Sequence, residues 1–533
     1  MTGRFSRREI IGRLGLAGGA AAWATGAQAR SVAREPAVGA PVFDVTAFGA
    51  KADGATMNTQ AVQAAIDACA AAGGGNVFFP PGRYLTGGLV LKSRVTLRTS
   101  PGTTILGSPR LGDYPVHRPK LASRTRQYVQ HALVYGEDLE FAGIQGPGVL
   151  DGQGAEFHRQ FGGDYLKRPY LVRLINCRDV RVEGVTLTQS AMWTMQLLAC
   201  ERARIEGVRV WAHAAVNNDG FDLDACRDVV VNDCIVDSDD DALVFKSTLH
   251  RPCQNVAVTN CILSSHCNAI KMGTESLGGF RNITVSNCVI QSPPASERIN
   301  GIQRGISAVA LETVDGGGLE RVTLSNLVIQ GYEAALFLRL GDRGNRLEES
   351  EPRPGVGAYR GISVSHVIGE DIGRTGCAVA GLPGHPLENI SLEDISLRFE
   401  GGGTPEQAGR LDVPENEGKY PEATMFGVLP AYGIYARHVR NLRLRDLDLG
   451  FGGTEARPPL VLQDVDGLEI AGLYAQTEPR TACLFRLRGV RGGLIHGCRI
   501  RGPVPRIADM DADCRDVRWG ANGFESPPSI SKF

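Results

Sequence analysis

Arg181-Val182-Glu183-Gly184-Val185, Arg204-Ile205-Glu206-Gly207-Val208 and Val229-Val230-Val231-Asn232-Asp233 are three copies of one short pattern, a brief apolar alternation closed by a turn. The pattern returns at Val256-Ala257-Val258-Thr259-Asn260, Ile283-Thr284-Val285-Ser286-Asn287 and Val322-Thr323-Leu324-Ser325-Asn326, with later copies near Val364, Leu392, Leu444, Ile470 and Ile495. The period is 23 to 28 residues, stretched to about 40 or 50 where loops intrude. Strands of this kind point alternate side chains inward and outward, and one coil cannot bury its inner face without a neighbour stacked on it. The repeat therefore predicts an all-β chain wound as a parallel β-helix around one long core.

The cysteines follow the same period. Cys177, Cys200, Cys226 and Cys253 form one series, and Cys234, Cys261 and Cys288 another. Equivalent positions of a solenoid stack in its interior, where a free thiol behaves as a small hydrophobe. The odd total of 13 and the absence of any Cys-x-x-Cys point the same way. An open first coil needs a cover. Asn58 to Ala72 suits that task, with Ala61, Val62, Ala65, Ile66 and Cys69 at helical spacing and Gly73-Gly74-Gly75 ending the segment. Residues 341–360 and 401–423, rich in Gly, Pro and Glu, break the rhythm and read as long loops, equally suited to binding or to spacing.

Residues 1–29 read as an export signal: Ser6-Arg7-Arg8-Glu9-Ile10-Ile11, an apolar run from Leu14 to Ala24, and the small-residue site Ala27-Gln28-Ala29. The paired arginines mark the twin-arginine translocase as a partner during export and the periplasm or exterior as the destination. The expected organisation is that signal followed by one β-helix domain over residues 30–533. Signal removal takes away four Arg and one Glu and moves the formal net charge from −1 to −4. A slightly acidic mature chain is a poor nucleic-acid binder, and no later run approaches a membrane span. It is expected to act as a monomer.

The densest acid cluster is Asn217-Asn218-Asp219-Gly220-Phe221-Asp222 followed by Asp237-Ser238-Asp239-Asp240-Asp241-Ala242. Asp219 and Asp240 are a little under one coil apart, so their carboxyls can lie side by side on neighbouring turns. On a regular strand Asp240 points opposite to Asp239 and Asp241; at a turn all three can reach outward. Crowded carboxylates do not all ionise cheaply, and an acid paired with a base is what glycosidic cleavage needs. The bland alternatives are a solvated acidic turn or a calcium site.

The chain resembles glycoside hydrolase family 28, the polygalacturonase and rhamnogalacturonase group, over nearly all of the mature sequence. The resemblance is carried by residues 43–54 (FDVTAFGAKADG), 81–87 (PGRYLTG), Gly148-Val149-Leu150-Asp151-Gly152-Gln153-Gly154 and Ser190-Ala191-Met192-Trp193-Thr194. It implies a right-handed, pectin-lyase-like solenoid and hydrolysis of a pectin-like or rhamnogalacturonan-like glycan without metal or cofactor. The family's Asn-Thr-Asp matches Asn217-Asn218-Asp219, with Asn in the middle, and its Asp-Asp matches Asp240-Asp241. The resemblance implies that Asp240 donates a proton to the leaving oxygen, while Asp219 and Asp241 activate water on the opposite face.

Two departures stand out. In place of the family's Gly-His-Gly stands Ser264-Ser265-His266-Cys267-Asn268-Ala269, leaving His266 or Asn268 for the histidine's role. In place of Arg-Ile-Lys stands Val309-Ala310-Leu311-Glu312-Thr313, where Glu312 would repel a uronate. Lys246 and Lys271 could compensate as substrate-binding cations or serve as structural ion-pair partners. Trp193 is a candidate sugar-stacking ring or a buried coil aromatic, and His213 reads as structural. The rival readings are a calcium-dependent polysaccharide lyase on the same fold and a non-catalytic glycan-binding solenoid.

Overall fold

A computed structural model describes residues 40–524; the expected signal at 1–29 lies outside them. The chain forms a right-handed parallel β-helix in which each coil adds one strand to each of several stacked sheets. The repeats quoted above are strands of one sheet: Arg181–Glu183, Arg204–Glu206, Arg227–Asn232, Cys253–Thr259, Phe280–Gln291 and Leu319–Gln330 pair in order, in parallel. Their inner residues, among them Val182, Ile205, Val231, Val258, Val285 and Leu324, join one core running the length of the solenoid. Each such side chain, moved from water to a core, is worth about 1.5–3 kcal/mol before chain entropy is charged against it.

One corner turns in the left-handed region in coil after coil, at Gly184, Gly207 and Asp233 and then at three asparagines. Asn260, Asn287 and Asn326 all turn with φ of 56°, a left-handed conformation that Asn tolerates better than branched residues. Their side chains then stack, Asn326 Nδ2 donating to Asn287 Oδ1 at 3.0 Å. The thiols are columns as expected: Arg178, Glu201, Arg227 and Gln254 are register partners, which aligns Cys177, Cys200, Cys226 and Cys253 one residue earlier. All 13 are free, and all but Cys514 are buried. Burial pushes the Cys253 thiol up to about 12, so it packs as an unreactive apolar group.

Helix α1 (Thr59–Ala71) closes the N-terminal end, with Val62, Ala65, Ile66 and Cys69 fully buried. None of the described helices is long and apolar enough to cross a membrane.

The sheet that matters for chemistry contains β1 (Met195–Leu198), β2 (Phe221–Asp224), β3 (Leu243–Ser247), β4 (Asn268–Ser276) and β5 (Gly305–Thr313), paired in order. Its inner face carries Phe221, Leu223, Leu243, Phe245, Ile270 and Leu311. Its outer face is also covered. A patch around Val129, Tyr170, Met192, Trp193 and Leu249 packs over one end, and another around Ala310, Phe337, Phe426 and Tyr435 over the other. Between these two apolar patches the outer face is polar.

Candidate active site

The register of this sheet fixes what stands beside what. Thr194 N donates to Asp219 O, Gly220 N to Asp241 O and Ala242 N to Asn268 O. Trp193, Asp219, Asp241, Asn268 and Ser307 therefore form one column across five coils. A second column sets Asp222 beside Val244 and then Lys271, and a third sets Asp224 beside Lys246. Charged residues one coil apart are close enough to titrate together.

Asp239, Asp240 and Asp241 sit at the corner between strand Ile235–Ser238 and β3, and they diverge there. Asp241 Oδ1 accepts from Asn268 N at 3.0 Å and Asn268 Nδ2 at 2.7 Å, and Oδ2 lies 3.0 Å from Lys271 Nζ. Asp240 Oδ1 accepts from Asp241 N, and its Oδ2 accepts from Asn300 Nδ2 at 3.1 Å. Asp239 is wholly buried and binds the backbone of residues 299 and 300. Asp219, Asp222, Asp224, Asp239 and Asp241 are buried, whereas Asp240 is half-buried, as is Asp237, which pairs with His213. Asn218, the motif's middle residue, accepts from Asp240 N at 3.3 Å and so ties the two motif turns together.

Lys246 is the hub of the second group. Its Nζ lies 3.4 Å from Asp219, 3.5 Å from Asp222 and 3.8 Å from Glu275, and 4.5 Å from the centre of the Trp193 ring. Burial works against its ammonium, but Asp219, Asp222 and Glu275 outweigh it and hold the group well above the ordinary lysine range. Lys271 is held up in the same way by Asp241 and donates to Tyr420 Oη at 3.3 Å. For the acids, burial acts with the neighbouring carboxylates rather than against them. Burial, reinforced by neighbouring carboxylates, pushes Asp219 well up and raises Asp240; it takes Asp222 to about 8 and Asp224 to about 6. Protons in such a cluster belong to the set. Burial and mutual repulsion favour protonation within the set, and Asp240 is its least buried member.

Among the described residues, three sets of side chains carry potential ligand atoms within 4.8 Å of one another: Asp240, Asp241 and Cys267; His213, Asp239 and His266; and His213, Asp237 and Glu297. None offers more than two carboxylates, where calcium takes about six to eight oxygens.

Comparison with known proteins fits this arrangement. The sequence model described as glycosyl hydrolases family 28 matches residues 84–407, well over half of the chain. The chain belongs to that family. A probable polygalacturonase of Vitis vinifera is 32% identical over 212 residues, 38% of this chain and 43% of that protein. An exo-poly-alpha-D-galacturonosidase of Dickeya chrysanthemi is 28% identical over 253 residues, again 38% of this chain and 42% of the relative. The family-28 chain thus spans about two fifths of the length of these relatives. Among solved structures, a hyperthermoactive exopolygalacturonase from Thermotoga maritima superposes with a TM-score of 0.59 at 20% identity, covering 78% of this chain and 93% of the other. At that identity the likeness speaks for the fold.

The other candidate residues fall around the cluster. Asn217, in the left-handed region at φ 55°, accepts from Arg168 Nη2 at 2.9 Å. His266 is fully buried, with Nδ1 3.1 Å from Asp239 and Nε2 3.3 Å from the Pro294 carbonyl. Glu312 is buried on β5 with neither carboxylate oxygen hydrogen-bonded, and burial lifts it to about 8. Trp193 is 6% exposed, packed edge-on against Tyr128 and Tyr170. Five residues near the cluster escaped the sequence reading: Glu275, Asn300, Arg343, Tyr420 and Glu422. Arg343 and Tyr420 come from the two long loops, and Glu422 feels Lys271, Asp241 and Asp240. The break in the repeat marked those loops as special without saying which residues they deliver.

Proposed function

We propose that the chain is an inverting glycoside hydrolase that cuts a pectin-like or rhamnogalacturonan-like glycan, in one catalytic solenoid exported by the twin-arginine route. The observation that carries this reading is the column of Asp219 and Asp241 on adjacent coils, each paired with a buried lysine, with the half-exposed Asp240 beside them. Asp240 donates its proton to the departing oxygen. Asp219 and Asp241 take a proton from water on the other face of the ring, and attack by that water inverts the anomeric carbon. Lys246 opposes the burial that raises Asp219, and Lys271 stands 3.0 Å from Asp241. Asn268 fixes Asp241 through two hydrogen bonds, and Asn217 steadies the turn that carries Asp219 through Arg168. Trp193, Lys246, Lys271, Glu312 and His266 shape the floor under the sugar.

The deciding experiment is proton NMR of fresh digests of defined pectic oligosaccharides, read before the products mutarotate. A first-formed sugar of inverted anomeric configuration is expected. Retention of configuration, an unsaturated uronate product, or no cleavage of any pectic substrate would each sink the reading.

A further inference from the structure

Residues 292–304 form the loop between strand Phe280–Gln291 and β5, and they are tied down with unusual thoroughness for a surface connection. Ile299 N donates to Asp239 Oδ1 at 2.5 Å and Asn300 N to Asp239 Oδ2 at 2.6 Å. Pro294 O faces His266 Nε2, and Ile302 N donates to His266 O at 3.3 Å. Gly301 turns at φ 60° so close to His266 that an added Cβ would lie 2.3 Å from its carbonyl oxygen. His213 bonds Asp237 at 2.9 Å and lies 4.0 Å from Glu297 of the loop.

With two backbone N–H groups and a ring nitrogen on its two oxygens, Asp239 is fully used as a clamp. It is therefore a poor substitute for Asp240 as proton donor. What the clamp accomplishes is visible one bond further on. One of the two loop residues whose N–H is held by Asp239 is Asn300, and its side-chain amide reaches Asp240 Oδ2, at 3.1 Å.

We propose that Asn300 is a positioning residue for the proton donor: clamped through its backbone by Asp239, it fixes the Asp240 carboxyl in one orientation and restrains how tightly that carboxyl holds its proton. The proposal rests on the reading of Asp240 as general acid. Its physical content is an amide N–H donor aimed at one carboxyl oxygen, which favours the ionised form. That donor acts against burial and Asp241, which raise the group. The carboxylates of Asp219 and Glu422 and the Cys267 thiol also face Asp240, as do the cations Lys246, Lys271 and Arg168. None of these is removed when Asn300 is changed. A donor held too tightly to its proton gives it up slowly, and one that swings freely misses the leaving oxygen.

The test is Asn300→Ala in the full chain, with Asp239→Asn as a second variant. Asp240 is followed by its carboxyl carbon-13 resonance in aspartate-labelled protein, assigned by its loss in Asp240→Asn. The midpoint should rise by about half to one pH unit in Asn300→Ala, the worth of one hydrogen bond of about 1 kcal/mol. Asp239→Asn frees the Asn300 backbone but also removes a neighbouring negative charge, so it should raise the midpoint by less than Asn300→Ala does. On any glycan that the wild type cleaves, Asn300→Ala should lower kcat by about tenfold, and less on substrates with activated leaving groups. An unmoved or lowered midpoint in a folded Asn300→Ala overturns the proposal, whatever happens to activity. Because the titration needs no substrate, a protein that cleaves nothing would defeat the functional reading and leave this measurement decisive for the positioning.

Discussion

Along strand Phe280–Gln291 side chains alternate between core and solvent, whereas along β3, Leu243–Ser247, all five are buried. The two strands belong to the same solenoid and differ in what lies outside them. Outside the first is water, and its outward residues are Arg281, Asn282, Thr284, Asn287, Val289 and Gln291. Outside the second are loops, and its outward Lys246 sits among carboxylates that burial has pushed out of their ordinary range. A sheet open to water on one face needs only the in-and-out pattern to be stable. A sheet covered on both faces must have every outward charge answered by a partner, and it is there that proton affinities become useful.

This contrast can be broken most sharply at Asp240. Asp240→Asn should lower turnover by roughly two to four powers of ten with an unchanged melting curve, since it is nearly isosteric and removes a charge from a crowded site. Substrates with activated leaving groups should be rescued in part, whereas Asp219→Asn should fail on both kinds. Full activity of Asp240→Asn on natural glycan would erase the chemical distinction between the two sheets.

On the plain sheet the effects should be structural and one-sided. Ile283 faces the core and its neighbour Thr284 faces solvent. Ile283→Ala should cost about 2–5 kcal/mol in denaturant unfolding, while Thr284→Ala should stay within about 0.5 kcal/mol. Equal losses at both positions would mean that the alternation does not describe that sheet.

The smallest effect is expected at Glu312, where the two kinds of sheet can be told apart by pH. Burial holds this carboxyl at about 8, so the folded chain binds the proton more tightly than the unfolded one. The stability that this affords is complete below the unfolded pKa and is lost as pH rises through the folded value. Glu312→Gln removes the titration. Its melting temperature relative to wild type should climb between pH 5 and 9, by on the order of a few degrees. A difference that did not depend on pH would show that Glu312 is not the group responsible.

The parts legible in the sequence were those that the repeat writes many times. Val256, Ile283 and Val322 recur because each coil needs the same inward side chain; Asn260, Asn287 and Asn326 recur because each corner needs the same left-handed turn; Cys200 and Cys226 recur because they stack. The capping helix was legible for a different local reason, an apolar stripe ended by three glycines. Asp219, Asp240 and Asp241 could be read because they break a strand pattern with carboxylates less than one coil apart.

Asn300, Tyr420, Glu422 and Arg343 had no such signature. They stand in connections of irregular length, and a loop residue acquires meaning only from what it touches. By itself the sequence determined the solenoid and its core, because these follow from periodicity and short-range backbone preference; it set Asp219 beside Asp240, whereas the register of the folded sheet sets it beside Asp241. Only the tertiary structure decided that Asp239 is buried under the backbone of residues 299 and 300 while Asp240 stays partly exposed, because burial depends on which distant loop folds over a side chain.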